Sequence, residues 1–149
     1  MLNALASETG GIVGVVDPDV LTAAAHSTGW IDASEFETYM AIVQAGTLGS
    51  SATLDAKLEQ ATDSSGTGAK DITGKAITQL TQAGSDSDKQ AIINLRREEL
   101  DTDNDFNHFR LTITVSTASS DGAGIMIGYG PRYGPASDND LSSVDEIVN

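Results

Sequence analysis

The acidic run DTDND, from Asp101 to Asp105, is the part of this sequence that most resembles a metal site. Its carboxylates fall at alternate positions, as at the start of a calcium-binding loop, because hard cations are held by several oxygen ligands. A complete EF-hand loop would place glycine sixth and glutamate twelfth. Those positions hold Phe106 and Thr112. The run is therefore predicted to be a solvated acidic turn between two strands, with calcium binding as the alternative.

The other residue types that commonly perform chemistry lack partners at useful spacing. His26 and His108 are far apart, and neither has a second ligand at metal-binding spacing. The sequence Gly66-Thr67-Gly68 with Lys70 superficially resembles a phosphate-binding loop, but it lacks the Gly-Lys-Ser/Thr ending of that motif. The sequence thus predicts no catalytic, cofactor-binding or metal site, and a protein that is not an enzyme.

Trp30 is the single tryptophan of the chain. An aromatic ring of this size can serve as a platform for a sugar. The commoner role of a lone tryptophan at the start of a strand is to anchor the core, because its large apolar surface favours burial. We predict the core role, and a carbohydrate-binding or adhesion module remains an alternative function.

The charge of the chain limits its partners. Its 149 residues include 22 acidic and 8 basic side chains, which gives a net charge of −14 at pH 7. Phosphate recognition requires clustered Lys and Arg, so nucleic acid is not an expected partner. The longest apolar stretches, at residues 12–16 and 21–25, are far shorter than the roughly 18 residues of a membrane helix. We expect no membrane partner and no secretory signal, and the absence of cysteine is compatible with cytoplasmic production.

Two segments, residues 52–60 and 109–116, alternate between apolar and polar side chains as half-buried strands do. Short strands at intervals of about 8–15 residues, with turn signals between them, are typical of sandwiches and jelly rolls. We therefore predict an all-β fold, an antiparallel β-sandwich or jelly-roll-like single domain. Its predicted core includes Leu54, Ala56, Leu58, Leu111, Ile113 and Val115.

Other segments are assigned from their context. Residues 91–100 fit either a helix or a strand, and the neighbouring strands favour the strand. Segments 109–117 and 123–129 are predicted to pair as a hairpin, because the residues between them are turn-like. Further short strands are predicted at residues 30–33, 39–45 and 76–80.

The predicted boundaries follow changes in composition. Residues 1–20 form a glycine-punctuated N-terminal arm that can pair as an edge strand or lie over a neighbour. Residues 21–130 form the β-sandwich body, and residues 131–149 form a C-terminal tail. The tail has helical spacing of its apolar side chains, so it is predicted to dock as a short amphipathic turn on its own domain or on a partner.

Five runs of residues resemble small virion proteins of tailed bacteriophages. They are WIDASEFE from Trp30, IVQAGTLG from Ile42, TLDAKLEQATD from Thr53, FRLTITV from Phe109 and PRYGPAS from Pro131. The resemblance covers about residues 28–149. It implies a structural virion protein, most closely a head decoration (cement) protein, with a head–tail connector or a tail component as the alternative.

The resemblance also implies partners and a location. A decoration protein of this kind binds the major capsid protein and lies on the capsid surface of the virion, after synthesis in the host cytoplasm. Such proteins commonly sit at three-fold or quasi-three-fold positions, so a homo-oligomer, a trimer, is expected. On this interpretation the arm reaches the shell, and deletion of residues 1–18 should leave the body folded but weaken attachment.

Overall fold

The computed structural model describes residues 3–149, which form two sheets and little helix. Its regular elements are α1 (Ala6–Thr9), β1 (Gly10–Leu21), β2 (Ala25–Ser27), β3 (Ile31–Asp32), β4 (Phe36–Ala45), β5 (Thr53–Ala61), β6 (Lys70–Ala76), β7 (Leu80–Thr81), β8 (Gln90–Arg96), β9 (His108–Ser116) and β10 (Ser120–Pro131). Short 3-10 turns lie at Arg97–Glu99, Thr102–Asn104 and Ala136–Asn139. The helical turns within residues 3–149 are too short to span a bilayer.

The strands form two antiparallel sheets that pack as a sandwich. Sheet A has the order β1-β10-β4-β8, and sheet B has the order β2-β9-β5-β6, with β3 beside β9 and β7 beside β5. If β2 and β3 are counted as one interrupted strand, and β6 and β7 as another, the chain changes sheet at almost every connection. This is the double-sheet arrangement of a jelly roll. The predicted fold class is confirmed.

The core lies between the sheets and is built largely by the two alternating strands of sheet B. β5 and β9 pair with Leu58 opposite Leu111 and Ala56 opposite Ile113. Successive side chains of a strand point to opposite faces, so every second residue enters the core. All the predicted core residues are confirmed as buried, with at most 2% of their surface exposed: Leu54, Ala56, Leu58, Leu111, Ile113 and Val115.

Tyr39 joins the aromatic part of the core to the turn before β4. Its ring meets Phe109 and Phe36 edge-on, with centroids 4.5 and 5.9 Å away. Its hydroxyl donates to the carbonyl of Asp32 and accepts from the backbone N–H of Phe36, both at 3.2 Å. Burial raises the pKa of Tyr39 above its usual range, so the hydroxyl stays protonated and keeps this donor role.

The N-terminal segment is part of the sandwich for most of its length. β1 pairs with β10 from Gly10 to Leu21, with two irregularities in register. Val16 is 5% exposed and packs into the core. Residues 10–20 of the predicted arm are therefore an edge strand of sheet A, because β10 offers a free hydrogen-bonding edge and the core takes the inward side chains of β1. Of the two roles that the sequence leaves open for this segment, the structure shows the edge strand.

The predicted hairpin of residues 109–117 and 123–129 is wrong. β9 lies in sheet B beside β5, whereas β10 lies in sheet A between β1 and β4. The turn between them carries the chain from one sheet to the other, as the connections of a jelly roll do. Closeness in sequence therefore does not indicate pairing here.

The remaining strand assignments differ mainly at their ends. The ambiguous segment 91–100 is strand β8 as far as Arg96 and then a 3-10 turn. The strand predicted at 76–80 is wrong, because β6 ends at Ala76 and β7 begins at Leu80. The interval between them follows an irregularity in the pairing of β5 with β6.

The C-terminal tail docks on its own domain. The backbone N–H of Ile12 donates to Asp140 Oδ1 at 2.6 Å, and the N–H of Leu141 donates to the carbonyl of Ile12 at 2.9 Å. Ala136 is fully buried in the core cluster. The tail thus covers part of the free edge of β1, which an edge strand would otherwise leave unpaired.

Candidate protein-interaction surface

Three neighbouring rows of outward-pointing side chains cross sheet A, and none of these side chains is charged. The central row contains Val15, Ile125, Ile42 and Ile92. The row on one side contains Ile12, Ile127, Met40 and Asn94. The row on the other side contains Ala123, Gln44 and Gln90. These three rows are called the apolar face below.

The apolar face is open to solvent although it is rich in isoleucine. Ile92, on edge strand β8, is 59% exposed, whereas the adjacent inward residue Ile93 is 6% exposed. Ile42, Ile125 and Val15 are half-buried by their neighbours in the row. Contiguous apolar patches of more than a few hundred Å² are uncommon on monomers and mark interaction sites. The apolar face is therefore the leading candidate for the functional surface.

Charged residues border the apolar face at its two ends and on its β1 side, where Asp140 and Glu146 of the tail line a depression together with Ile12 and Ile127. Asp121 lies two residues before Ala123 on β10. Asp88 lies two residues before the first residue of β8, and Lys89 between them is paired with Asp86. Arg96 lies at the opposite end, across from Thr38. Charged residues make up 20% of the chain, so about two would be expected among the eleven residues of the face, which contain none.

The outer face of sheet B is polar, and its charges are paired with one another. Glu59 accepts hydrogen bonds from Arg110 Nε at 2.8 Å and Thr112 Oγ1 at 2.7 Å, and Lys57 Nζ lies 3.4 Å from its carboxylate. Burial alone would raise the pKa of Glu59, but these hydrogen bonds and the nearby cations hold its pKa below the usual value. Sheet B therefore presents a face whose charges are already satisfied within the chain.

The apolar face is missed by sequence reasoning based on alternation, although the strands carry a signal for it. A strand with one solvated face alternates, whereas a strand covered on both faces is a continuous apolar run. β5 and β9 alternate, but the runs YMAIVQA in β4 and GIMIGY in β10 do not. This difference separates sheet A, which has two apolar faces, from sheet B, which has one.

One end of the apolar face opens into an acidic depression. Its volume is about 490 Å³, and Asp19, Asp88 and Asp121 line it together with Val20, which is 59% exposed. Neither Lys nor Arg is found in its lining. None of the ion pairs found within residues 3–149 includes these three aspartates. This end of the face therefore carries negative charge that the chain leaves without a counter-charge.

The acidic turn that begins at Asp101 is stabilised by groups of the chain itself. The Asp101 carboxylate forms an ion pair with Lys70 and accepts hydrogen bonds from Asn104 Nδ2 at 2.9 and 3.0 Å. The contact with Lys70, followed by that with Asn104, holds the pKa of Asp101 below its usual value. Within residues 3–149, no three or more His, Cys, Asp or Glu side chains are grouped so that they could hold a metal ion.

We expect calcium to leave the thermal stability of the protein unchanged, because Lys70 already supplies the positive charge beside Asp101. Binding at a hundred times Kd would add about 2.7 kcal/mol, which corresponds to roughly 5–10 °C in a domain of this size. Differential scanning fluorimetry with millimolar calcium, and separately with EDTA, should show shifts in Tm below about 1 °C. A rise of several degrees in calcium that EDTA reverses would contradict this expectation.

The structure does not bring the two histidines together. His26 pairs opposite Ile113 on β9, five residues along that strand from His108. His26 Nε2 lies 3.0 Å from the carbonyl of Thr22, and the His108 ring contacts the side chain of Asn107. Both rings thus have local partners on or beside sheet B.

Trp30 lies at the edge of the sandwich rather than in the core. Its side chain is half-buried, and the Arg110 guanidinium lies over the ring, 4.5 Å from its centroid. The loop at Gly66 packs so closely against the indole that a Cβ there would lie 2.6 Å from Nε1. The core-anchor prediction is therefore wrong in its placement, and one ring face that a sugar would need is covered by Arg110.

Comparisons with known proteins give likenesses of fold. No protein-family model and no curated protein matches the sequence. A chain of the infectious bursal disease virus Gx strain is 13% identical, with a TM-score of 0.45, over 88% of this chain and 34% of that chain. A chain of the naturally occurring empty particles of cowpea mosaic virus is 10% identical, with a TM-score of 0.43, over 86% of each chain. The C-terminal CBM6 of LamC, from Zobellia galactanivorans, is 10% identical, with a TM-score of 0.37, over 73% of this chain and 75% of that chain.

The chain spans about a third of the length of the bursal disease virus chain. These neighbours come from viral particles and from a carbohydrate-binding module, two settings in which jelly rolls and related sandwiches are common. Because one fold hosts many functions, the function is inferred below from the surface of this chain.

Proposed function

We propose that this protein is a structural component of a tailed-phage virion, a decoration (cement) protein that binds the outside of the capsid. The observation that carries the proposal is the apolar face, an uncharged region on a chain with a net charge of −14. A small-molecule site is a concave pocket with a few convergent polar groups, whereas this face is a broad apolar surface suited to another protein. The resemblance of the sequence to small virion proteins supplies the setting.

The energetics fit a protein that stabilises an assembly. Ile92, Ile42 and Ile125 lose water-exposed surface when the apolar face is covered, and full burial of such a side chain is favourable by about 1.5–3 kcal/mol. A ligand that binds only the assembled shell stabilises that shell by mass action. The jelly roll holds the isoleucines in a fixed arrangement, so little additional order is required on binding.

In this proposal the partner is the major capsid protein and the protein performs no catalysis. The excess of acidic residues disfavours contact with the packaged genome, which agrees with a position on the outer surface. Trimers stay a prediction that derives from the resemblance, and mass photometry of the purified protein checks it.

A sedimentation experiment with capsids that lack this protein tests the proposal. We expect the purified protein to co-sediment with such heads in a saturable manner and to raise their melting temperature. Binding to purified tails and binding to a glycan array are measured in parallel. Binding to tails alone would favour the connector or tail-component alternative, and binding to sugars alone would favour the carbohydrate-binding alternative. No binding to heads would overturn the proposal.

A further inference from the structure

We propose that the apolar face is the capsid-binding surface, and that its acceptor is an apolar patch bordered at one end by Lys or Arg side chains. This inference rests on the proposed function. It adds which surface of this chain binds the capsid protein and what chemistry the acceptor presents.

The size of the surface is sufficient for a specific contact. Four strands at about 4.8 Å spacing, and about ten residues at about 3.3 Å rise, give a footprint of roughly 19 by 33 Å. This is about 600 Å² per partner, at the lower limit of specific interfaces. The footprint includes the apolar face and the charged residues at its two ends. Contact confined to one strand would be too small, so the partner must cover several strands.

The acidic depression determines the charge of the acceptor. Asp19, Asp88 and Asp121 line it without a counter-charge, and the depression adjoins Gln44 and Gln90 in the same surface. A partner that covers the apolar face also covers or borders these carboxylates. Placing like charges against them is costly, whereas Lys or Arg on the partner would pair with them and accelerate association. The acceptor is therefore expected to be basic at that end.

At the opposite end of the face, the charges on β4, β8 and the turn after β8 are balanced. Arg96 and Arg97 lie there beside Glu37 and Glu98, and Arg96 is 3.9 Å from Glu98. A second copy that packs face to face with the first can therefore place only a balanced end or another acidic end against the depression. Neither supplies an excess of positive charge, and two molecules of net charge −14 also repel each other. Charge complementarity thus favours a basic-bordered partner over a second copy.

Substitutions on the apolar face test the assignment directly. Ile92→Glu changes the most exposed residue of the central row, and Thr73→Glu is the matched control on β6, the edge strand of sheet B. We expect Ile92→Glu to weaken binding to heads by about tenfold or more, and Thr73→Glu to leave it unchanged. Ile42→Thr, which keeps a β-branched side chain, should weaken binding while circular dichroism and Tm report an intact fold.

Substitutions in the depression test the charge of the acceptor. Asp88→Asn with Asp121→Asn should slow association with heads about tenfold at low salt and flatten its dependence on salt, because steering charges are removed. Asp55→Asn with Asp71→Asn removes two charges from β5 and β6 of sheet B and should have little effect. Equal effects of the two pairs would assign the salt dependence to net charge and overturn the basic acceptor.

The outcomes separate this inference from the proposed function. If the wild-type protein binds heads and the Ile92→Glu and Ile42→Thr variants each bind equally well, the capsid role stands and the apolar face is not the binding surface. If the wild-type protein forms oligomers that Ile92→Glu dissociates, the occupant is a second copy and the inference is wrong. If the wild-type protein does not bind heads, the proposed function and this inference both fail.

Discussion

A chain that lacks residues 1–18 is expected to lose its cooperative fold. The deletion removes most of β1 from sheet A and leaves the edge of β10 unpaired. It also removes Val16, which is 5% exposed, and uncovers Met126, which is fully buried opposite Gly14. Losing the burial of these two side chains costs roughly 3–6 kcal/mol, before lost hydrogen bonds are counted. Domains are typically stable by only about 5–15 kcal/mol, so little or no stability should remain.

Urea denaturation followed by circular dichroism measures this effect. Deletion of residues 1–5 is the control, because it ends before α1 and removes Leu5, which is 48% exposed. The control should unfold at nearly the same urea concentration as the full chain. A chain without residues 1–18 that unfolds cooperatively at the wild-type midpoint would instead support the independent arm that the sequence suggested.

Replacing Gly128 by alanine is expected to destabilise the domain by about 3 kcal/mol. A Cβ at this position would lie 2.5 Å from Cγ and Cδ2 of the Phe36 ring. Phe36 is 2% exposed and its ring also contacts Tyr39, so it has no space into which to withdraw. The added methyl group must therefore displace buried aromatic side chains or separate β10 from β4.

Gly29→Ala is the matched control for Gly128→Ala, because a Cβ at Gly29 would meet no atom within 4 Å. The expected change at Gly128 corresponds to a fall in Tm of roughly 6–12 °C for a domain of this size. Thermal unfolding of the two variants and the wild type compares their Tm values. Equal melting temperatures for Gly128→Ala and the wild type would show that the Phe36 cluster can rearrange at low cost.

Much of the fold could be predicted from the sequence because the strands of sheet B separate apolar from polar side chains. Leu54, Leu58, Leu111 and Ile113 repeat at period two, and a strand with that pattern has only one face that can enter a core. The placement of strands into sheets could not be predicted in the same way. Strand pairing in a jelly roll depends on how the apolar faces of strands from the whole chain pack together. The short turn after β9 gives no sign that the chain changes sheet.

The candidate surface was harder to predict than the core for a related reason. Ile42 and Ile125 lie between residues that are themselves buried, so their apolar character is indistinguishable in sequence from that of a fully buried strand. Only the register of the four strands shows that these side chains form one outward row with Ile92. The acidic run at Asp101 had the more distinctive sequence, but its carboxylate is occupied by Lys70 and Asn104.

The pairing of β1 with β10 has a consequence for folding during synthesis on the ribosome. Gly10 pairs opposite Tyr129, so β1 has no partner until about 119 further residues have been synthesised. At about 5–20 residues per second, that delay is roughly 6–24 s. Throughout it, the β-prone segment GIVGVV presents open backbone edges and apolar side chains to other nascent chains. The yield of native protein should therefore decrease as the rate of expression rises, since aggregation depends on concentration and the closing of this sheet does not.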